Sequence, residues 1–442
     1  MANSHDGQPN ILLVITDQQH GDMMGCAGNP YLETPAMDAL AETGVRFDRS
    51  YCTNPVCSPS RTSIMTGRFP SEVGLASNDD SHLESIPAPI TSTGLGHVLR
   101  EAGYDTAYAG KQSLPADMTP AALGFETLTT DDREGCVTTC AEFIERDRRE
   151  PFFLVSSFIN PHDICYMAIR DAMRAIEDFD HPLDERAVAA LDRALERPEH
   201  VDREEFFADR APPLPSNHDP QVDEPEAVDH LLDRRPFRRY VREAWSDERW
   251  REHRWAYCRL TEMVDAQIGR LLDAMEERGI RENTVVIFTS DHGDMDGSHQ
   301  LEHKTVLYEE AVRVPFIVSH PDVAGAGTVD DRLVSVGLDL LPTVCDYAGR
   351  DPPNHCAGRS VRPLVEGAFD GPTDGWRSHV SIESELGDAI VTDRYKYVRY
   401  DRDDHREQLY DLQADPGETR NRLADPATAG TVAELRDRLS SR

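Results

Sequence analysis

Four side chains at the ends of two apolar runs are of the kinds that hold metal ions. Asp17 and Gln18 follow residues 10–16 (NILLVIT), and Asp291 and His292 follow residues 284–289. Two carboxylates, one amide oxygen and one imidazole make a mostly hard donor set, suited to calcium or magnesium rather than zinc. Either pair alone also reads as ordinary turn chemistry after a strand. The same pattern at two strand ends is what raises a shared site. A third element is Cys57-Ser58-Pro59-Ser60-Arg61, leading into a helix with Pro59 near its first turn. There the helix dipole and free amides favour a thiolate or another anion at Cys57. Arg61, one turn on, can point back at position 57. A small buried cysteine ahead of a helix is the plainer reading of the same residues.

The elements that must position these groups follow from hydrophobic patterning. Residues 10–16 form a fully buried strand, and 105–109, 152–158, 284–289 and 314–319 form further strands. Helices are expected over 34–43 with Thr34 as N-cap, 58–66 ended by Gly67, 93–102, 137–148, a long amphipathic 250–278, and 339–348. This βα alternation predicts an α/β fold, a mostly parallel sheet with helices on both faces, with its ligand site at the carboxyl ends of the strands. Residues 1–350 form the catalytic unit. Within it, 165–249 are rich in Asp, Glu, Arg and Pro and read as a polar insertion or lid. Residues 351–442 form a small antiparallel C-terminal subdomain with strands near 380–382, 389–391, 395–400 and 408–411, followed by a polar helix.

The chain has 442 residues and a formal net charge of −35. Such acidity repels nucleic-acid phosphates and anionic membrane surfaces, so neither is expected as a partner. No stretch has the length of a membrane span, and no basic region precedes the first apolar run; a cytoplasmic location is expected. Nine cysteines, an odd number, disfavour a disulfide framework. Of the 46 basic residues only Lys111, Lys304 and Lys396 are lysines. Many acids with almost no lysine point to a halophilic setting of high salt, or to a GC-rich genome. Either way each lysine invites a question.

Cys57-Ser58-Pro59-Ser60-Arg61 with Thr66-Gly67-Arg68-Phe69-Pro70 resembles the signature of the formylglycine-dependent sulfatase family, in the alkaline-phosphatase-like superfamily. The resemblance extends over 10–17, 30–48, Ala109-Gly110-Lys111, 159–163, 289–293, 304–315 and 409–421. It implies an alkaline-phosphatase-like fold and a divalent metal, Ca2+ or Mg2+, at Asp17, Asp291 and His292. Cys57, oxidised to formylglycine by a maturation enzyme, completes the shell. Gln18 stands where many sulfatases carry a second Asp. Together with His292 it is similar to the choline-sulfatase-like and phosphonate-monoester-hydrolase-like pattern. An amide oxygen coordinates calcium more weakly than a carboxylate.

Further roles come from the same resemblance. Arg61 matches the arginine that holds the modified residue, and Lys111 and Lys304 match two sulfate-binding lysines. That two of three lysines fall at these positions fits a need for compact charges on sulfate oxygens. His162, in Asn160-Pro161-His162-Asp163, matches the histidine that serves the leaving oxygen, a role suited to a loop imidazole. Lys396, in a strand of the small subdomain, is expected to be structural. One departure stands out. Where the family has a histidine two residues after the first lysine, this chain has Ser113, which is no general base at neutral pH. Either His299 or His303 takes that role, with exposed surface positions as the alternative for both, or sulfate release is slow.

The implied reaction is hydrolysis of a sulfuric ester. An oxygen of hydrated formylglycine attacks sulfur, His162 protonates the departing alcohol, and the second hydroxyl expels sulfate. The expected substrate is a sulfated carbohydrate or another small sulfate ester. The competing readings are a phosphonate monoester or phosphodiester hydrolase with the same shell, a non-catalytic module binding sulfated polymers, and a metal-binding structural protein.

Overall fold

The first apolar run is strand β1 (Asn10–Asp17), and it lies in the middle of the molecule. In chain order it is followed by β2 (Gly44–Phe47), β3 (Ser50–Tyr51), β4 (Asp105–Gly110), β5 (Glu126–Thr129) and β6 (Phe152–Pro161). Then come β7 (Thr284–Ser290), β8 (Phe316–Ser319), β9 (Thr328–Asp330) and β10 (Val334–Ser335). The computed structural model describes residues 8–81, 83, 85–320, 323, 325–368, 375–402 and 405–441. Among these, eight strands form one sheet in the order β5-β4-β6-β1-β7-β8-β2-β9. The block from β5 to β7 is parallel, and β8 runs antiparallel to both neighbours. Strands β3 and β10 pair separately.

Every residue of β1 is buried, which explains its unbroken apolar run: both faces of a parallel sheet are covered. Alternate side chains serve two cores. Leu12 and Val14 pack with Leu154, Val286 and Phe288 beneath Val264, Ile268 and Leu271 of the helix Asp247–Glu277. Ile11, Leu13 and Ile15 pack with Phe153, Val155 and Ile287 beneath Leu340, Leu341 and Val344 of the helix Val336–Tyr347. Truncating one of these, as in Leu13→Ala, removes packing worth about 2–5 kcal/mol.

The expected helices form with small shifts of their ends, and their caps differ in one instructive case. The helix Pro35–Glu42 follows Thr34, but the Thr34 hydroxyl does not cap it. That hydroxyl accepts from Gly25 N and donates to Asp38 Oδ1. The cap comes from Asp265 on the long helix, whose carboxylate accepts from Ala36 N at 3.1 Å and Met37 N at 2.9 Å. A carboxylate is the stronger acceptor at a helix N-terminus, and here it also ties two helices together.

Residues 165–249 are more regular than their composition suggests. They contain the helices Cys165–Ala175, Glu185–Ala194, Glu226–Arg234 and Pro236–Ala244. Met167, Ala190 and Leu191 bury against Ala256 and Leu260, and Ile169, Phe237 and Val241 bury around Trp250. Each helix is only three turns or so, so its apolar stripe is two or three residues wide and is lost among the charges of its outer face.

The C-terminal unit is a meander of β11 (His379–Ser384), β12 (Gly387–Thr392), β13 (Tyr395–Tyr400) and β14 (Glu407–Asp411). The helix Ala429–Ser440 covers one face through Val432, Leu435 and Leu439. The other face, with Ile382, Val391 and Tyr400, joins the main core. All nine cysteines are free. Among the described residues no helix is long and apolar enough to cross a membrane.

Candidate active site

The chemistry-bearing residues gather where the parallel strands end. Asp17 closes β1, Lys111 follows β4, His162 follows β6, and Asp291 and His292 follow β7. Gly110 makes the turn to Lys111 at φ 92°, and a Cβ there would collide with the carbonyl oxygen of Ser157. Only glycine fits both demands. From across the sheet the helix Cys57–Thr66 presents its first residue, and Gly67 ends it at φ 66°. The Ser58 amide donates to Asn78 Oδ1 at 2.9 Å, which leaves Cys57 pinned at the helix start.

Asp17, Cys57, Asp291 and His292 are all buried, and their ligand atoms lie within 4.8 Å of one another. Cys57 Sγ is 3.2 Å from His292 Nε2 and 3.8 Å from Asp17 Oδ1. Two hard carboxylates, a borderline imidazole and the softer Cys57 sulfur converge on one point and form a set that fits a divalent cation. Arg61 spends its donors on the frame. Nε reaches Asp291 at 2.7 Å, Nη2 reaches Asp17 at 3.1 Å, and Nη1 donates to Ser157 Oγ at 2.7 Å and to the Lys111 carbonyl. It thus fixes both carboxylates, and no hydrogen bond runs from it to Cys57 Sγ.

Both site lysines face the sulfur. Lys304 Nζ is 3.0 Å and Lys111 Nζ 3.9 Å from Cys57 Sγ, and Lys111 also pairs with Asp17. Burial and Asp17 push the Cys57 thiol up, but Lys111, Lys304 and His292 outweigh them and bring its pKa down to about 6. Burial likewise opposes ionisation of Asp17, yet Lys111, His162, Lys304 and Arg61 hold it well below the usual carboxylate range. Gln18 sits at φ 67°, with its own amide donating to Asp291 Oδ1 and its carbonyl accepting from Tyr257 OH. Its side chain is oriented at both ends: Nε2 donates to Asp294 Oδ2 at 2.6 Å, and Oε1 accepts from Lys304 Nζ at 2.8 Å and from Cys165 Sγ at 3.3 Å.

His162 lines a cavity of about 370 Å³ that opens over this cluster, together with Cys165, His303 and Lys304. Burial and then the charges of Lys111 and Lys304 hold its pKa well below the ordinary histidine value. The two histidines weighed against Ser113 separate clearly. His303 lines the cavity and packs on Phe237 at 5.2 Å, whereas His299 stacks on Tyr308 at 4.2 Å with its backbone bonded to Asn217. Both are buried, so the exposed-surface alternative is excluded. Ser113 is half-buried at φ 41°. Lys396 is fully buried and lies away from this cluster, 3.0 Å from Glu309 Oε1 and 2.6 Å from Glu418 Oε1.

Several contributors carried no readable sequence signal. Asp294, two residues past His292, had the proximity but not the pattern. Asn78, Cys165, Tyr257 and the 234–238 segment reach the site only through the tertiary fold.

This constellation on an alkaline-phosphatase-like sheet is that of a sulfuric ester hydrolase, and the chain belongs to the sulfatase family: the family model described as Sulfatase matches residues 9–350. A second model, described as N-sulphoglucosamine sulphohydrolase, C-terminal, matches residues 297–442. The chain is 28% identical to a Delta 4,5-hexuronate-2-O-sulfatase of Bacteroides thetaiotaomicron, covering 97% of this chain and 87% of that protein. It is 28% identical to a choline-sulfatase of Rhizobium meliloti, covering 98% and 86%. A solved 2-O GAG sulfatase superposes with a TM-score of 0.81 at 27% identity, covering 98% of this chain and 91% of that one.

Proposed function

We propose that the enzyme releases sulfate from a sulfated carbohydrate, using Cys57 in its formylglycine form and a bound calcium or magnesium ion. What supports this reading most is the convergence of Cys57 Sγ, two carboxylates, His292 and two lysines at one point beneath an open cavity. The carbohydrate class is carried over from the 2-O-sulfatase relatives.

Asp17, Asp291 and His292 would hold the cation, with Gln18 beside them and residue 57 completing the set. The cation would supply a fixed positive charge that favours an anionic nucleophile and steadies sulfuryl oxygens. As formylglycine, residue 57 would supply two hydroxyls on one carbon, an oxygen nucleophile with a built-in means of release. Lys111 and Lys304 bind the sulfuryl oxygens and meet the charge that grows on them in the transition state. Gln18, fixed by Asp294, keeps the Lys304 ammonium aimed at residue 57. Arg61 holds Asp17 and Asp291 against their mutual repulsion. His162, on the cavity side, gives a proton to the departing alcohol oxygen; burial and then the lysine charges keep its imidazole neutral, and the arriving sulfate offsets the lysine part. His303, on the cavity wall, is the better candidate of the two to stand in for the missing partner at Ser113.

The test is sulfate release from aryl and sugar sulfates by wild type and by Cys57→Ala. The variant is expected to lose turnover entirely. Wild-type rates from Cys57→Ala would remove the nucleophile from this account.

A further inference from the structure

The cavity above the reaction centre is lined by basic side chains although the chain as a whole is acidic. At a net charge of −35 acids dominate the sequence, yet Arg234, Arg235, Arg238 and Lys304 line this cavity against Asp79 and Glu385. Lys304 belongs to the sulfate-binding cluster already described. Arg234 lies 3.7 Å from Glu385, so that pair is largely matched. Of the remaining two, Arg238 has one looser ion pair, to Glu302 at 3.9 Å, and Arg235 has none among the described residues. Arg235, between the helices Glu226–Arg234 and Pro236–Ala244, has no side-chain hydrogen bond or ion pair among the described residues.

Arg238 is 7% exposed and donates through Nη1 to the Lys304 carbonyl at 3.0 Å. Its Nε has no hydrogen-bond partner, and the closest carboxylate oxygen, Glu302 Oε1, stands at 3.9 Å. Burial, together with the neighbouring Arg235 charge, brings the Arg238 pKa down to about 10. A buried guanidinium left with a free donor beside a second, unpaired guanidinium is costly unless something anionic arrives. Both face a space already built to receive a sulfate ester. Phe237, between them in sequence, and Tyr166 add apolar walls of the kind that pack on a sugar ring.

We propose that Arg235 and Arg238 form a second anion subsite, which binds a further negative group of the substrate, a carboxylate or a second sulfate, while the scissile sulfate sits at Lys111 and Lys304. The enzyme's substrates are therefore sugars carrying at least two negative groups. This rests on the sulfatase reading of the same cavity. It goes beyond that reading in assigning the Arg235–Arg238 side to recognition rather than to chemistry. A planar fork such as guanidinium suits either a carboxylate or a sulfate, and the difference between them is left to measurement.

The experiment is calorimetric titration of the full chain with three matched sugars: a neutral sugar monosulfate, the corresponding uronate monosulfate, and the disulfate. Sulfate release from each is recorded in parallel. At least one doubly charged ligand is expected to bind about ten- to a hundredfold tighter than the neutral monosulfate, the gain of one charge-assisted contact. Whether the uronate or the disulfate gains identifies the group. Arg235→Ala, at an exposed position where folding is not at stake, should erase most of that gain, and Arg235→Glu should reverse it. Three results each overturn the subsite: equal affinity for all three sugars, a preference that survives Arg235→Ala, or no binding at all. Discriminating binding without sulfate release from any ligand would instead overturn the sulfatase reading and leave the subsite standing.

Discussion

Two places in the molecule bury lysine among acids, and they do opposite things with it. Over the strand ends Lys111 and Lys304 stand against Asp17 and Cys57, with side-chain exposures of 10% and 8%, and Lys304 lines an open cavity. At the junction of the C-terminal sheet with the main core, Lys396 on β13 is 0% exposed and clamped between Glu309 and Glu418. Burial, helped by the neighbouring Glu309 and Glu310 charges, raises the Glu418 pKa to about 8 against the opposing pull of Lys396, in a closed arrangement with no free donor aimed at solvent. The lesson is that scarcity alone does not mark function. A lysine whose partners are complete holds the fold, and one whose ammonium still faces a cavity is free to meet a substrate.

Metal removal separates the two regions most sharply. Chelation should abolish sulfate release, and calcium or magnesium should restore it better than zinc, while the Lys396 junction is untouched because no cation site lies there among the described residues. Full activity in a metal-free preparation would strip Asp17, Asp291 and His292 of their assigned role. Next in size are the site lysines. Lys111→Ala and Lys304→Ala should each lower kcat/KM by about a hundredfold or more, since each meets charge that develops in the transition state.

Lys396→Met should do the reverse. Leaving Glu309 and Glu418 buried without their cation should cost about 3–5 kcal/mol of stability by denaturant titration, with kcat/KM of the folded enzyme nearly unchanged. Pairing it with Glu418→Gln should recover part of the loss. If all three lysine variants behave alike, the contrast between the regions fails.

The smallest expected effect concerns the acidic surface that surrounds both. At a net charge of −35 the folded chain repels itself in dilute buffer. The screening length falls from about 10 Å at 0.1 M to about 3 Å at 1 M salt. Melting temperature and activity are therefore expected to rise together from low to molar KCl. A melting temperature that is flat or falls with salt would leave the shortage of lysine as a matter of genome composition.

How much of this was legible depended on where the signal was stored. β1 and β7 announced themselves because a strand covered on both faces is apolar throughout, and the residues just beyond such strands are the ones the sheet aims at its ligand edge. The five residues from Cys57 to Arg61 were legible because they form one local turn of helix. Arg61 nonetheless serves the two carboxylates, a choice made by tertiary placement that spacing along the helix could not reveal. The cap of the helix Pro35–Glu42 went unread for the same reason, since Asp265 lies more than two hundred residues away in sequence. The 165–249 segment hid most. Its short helices carry narrow apolar stripes, and nothing local distinguishes Arg235 and Arg238 from the many arginines of an acidic chain.

The account turns on residue 57 acting as an aldehyde-derived nucleophile held between Lys111 and Lys304. The most direct measurement is the mass of the peptide containing residue 57 in preparations made with and without a formylglycine-generating enzyme, set against sulfate release by the same samples. The account predicts that the fraction of peptide carrying the aldehyde and the rate rise in proportion, to zero rate at zero aldehyde. Full turnover from protein whose residue 57 is entirely unmodified cysteine would contradict it.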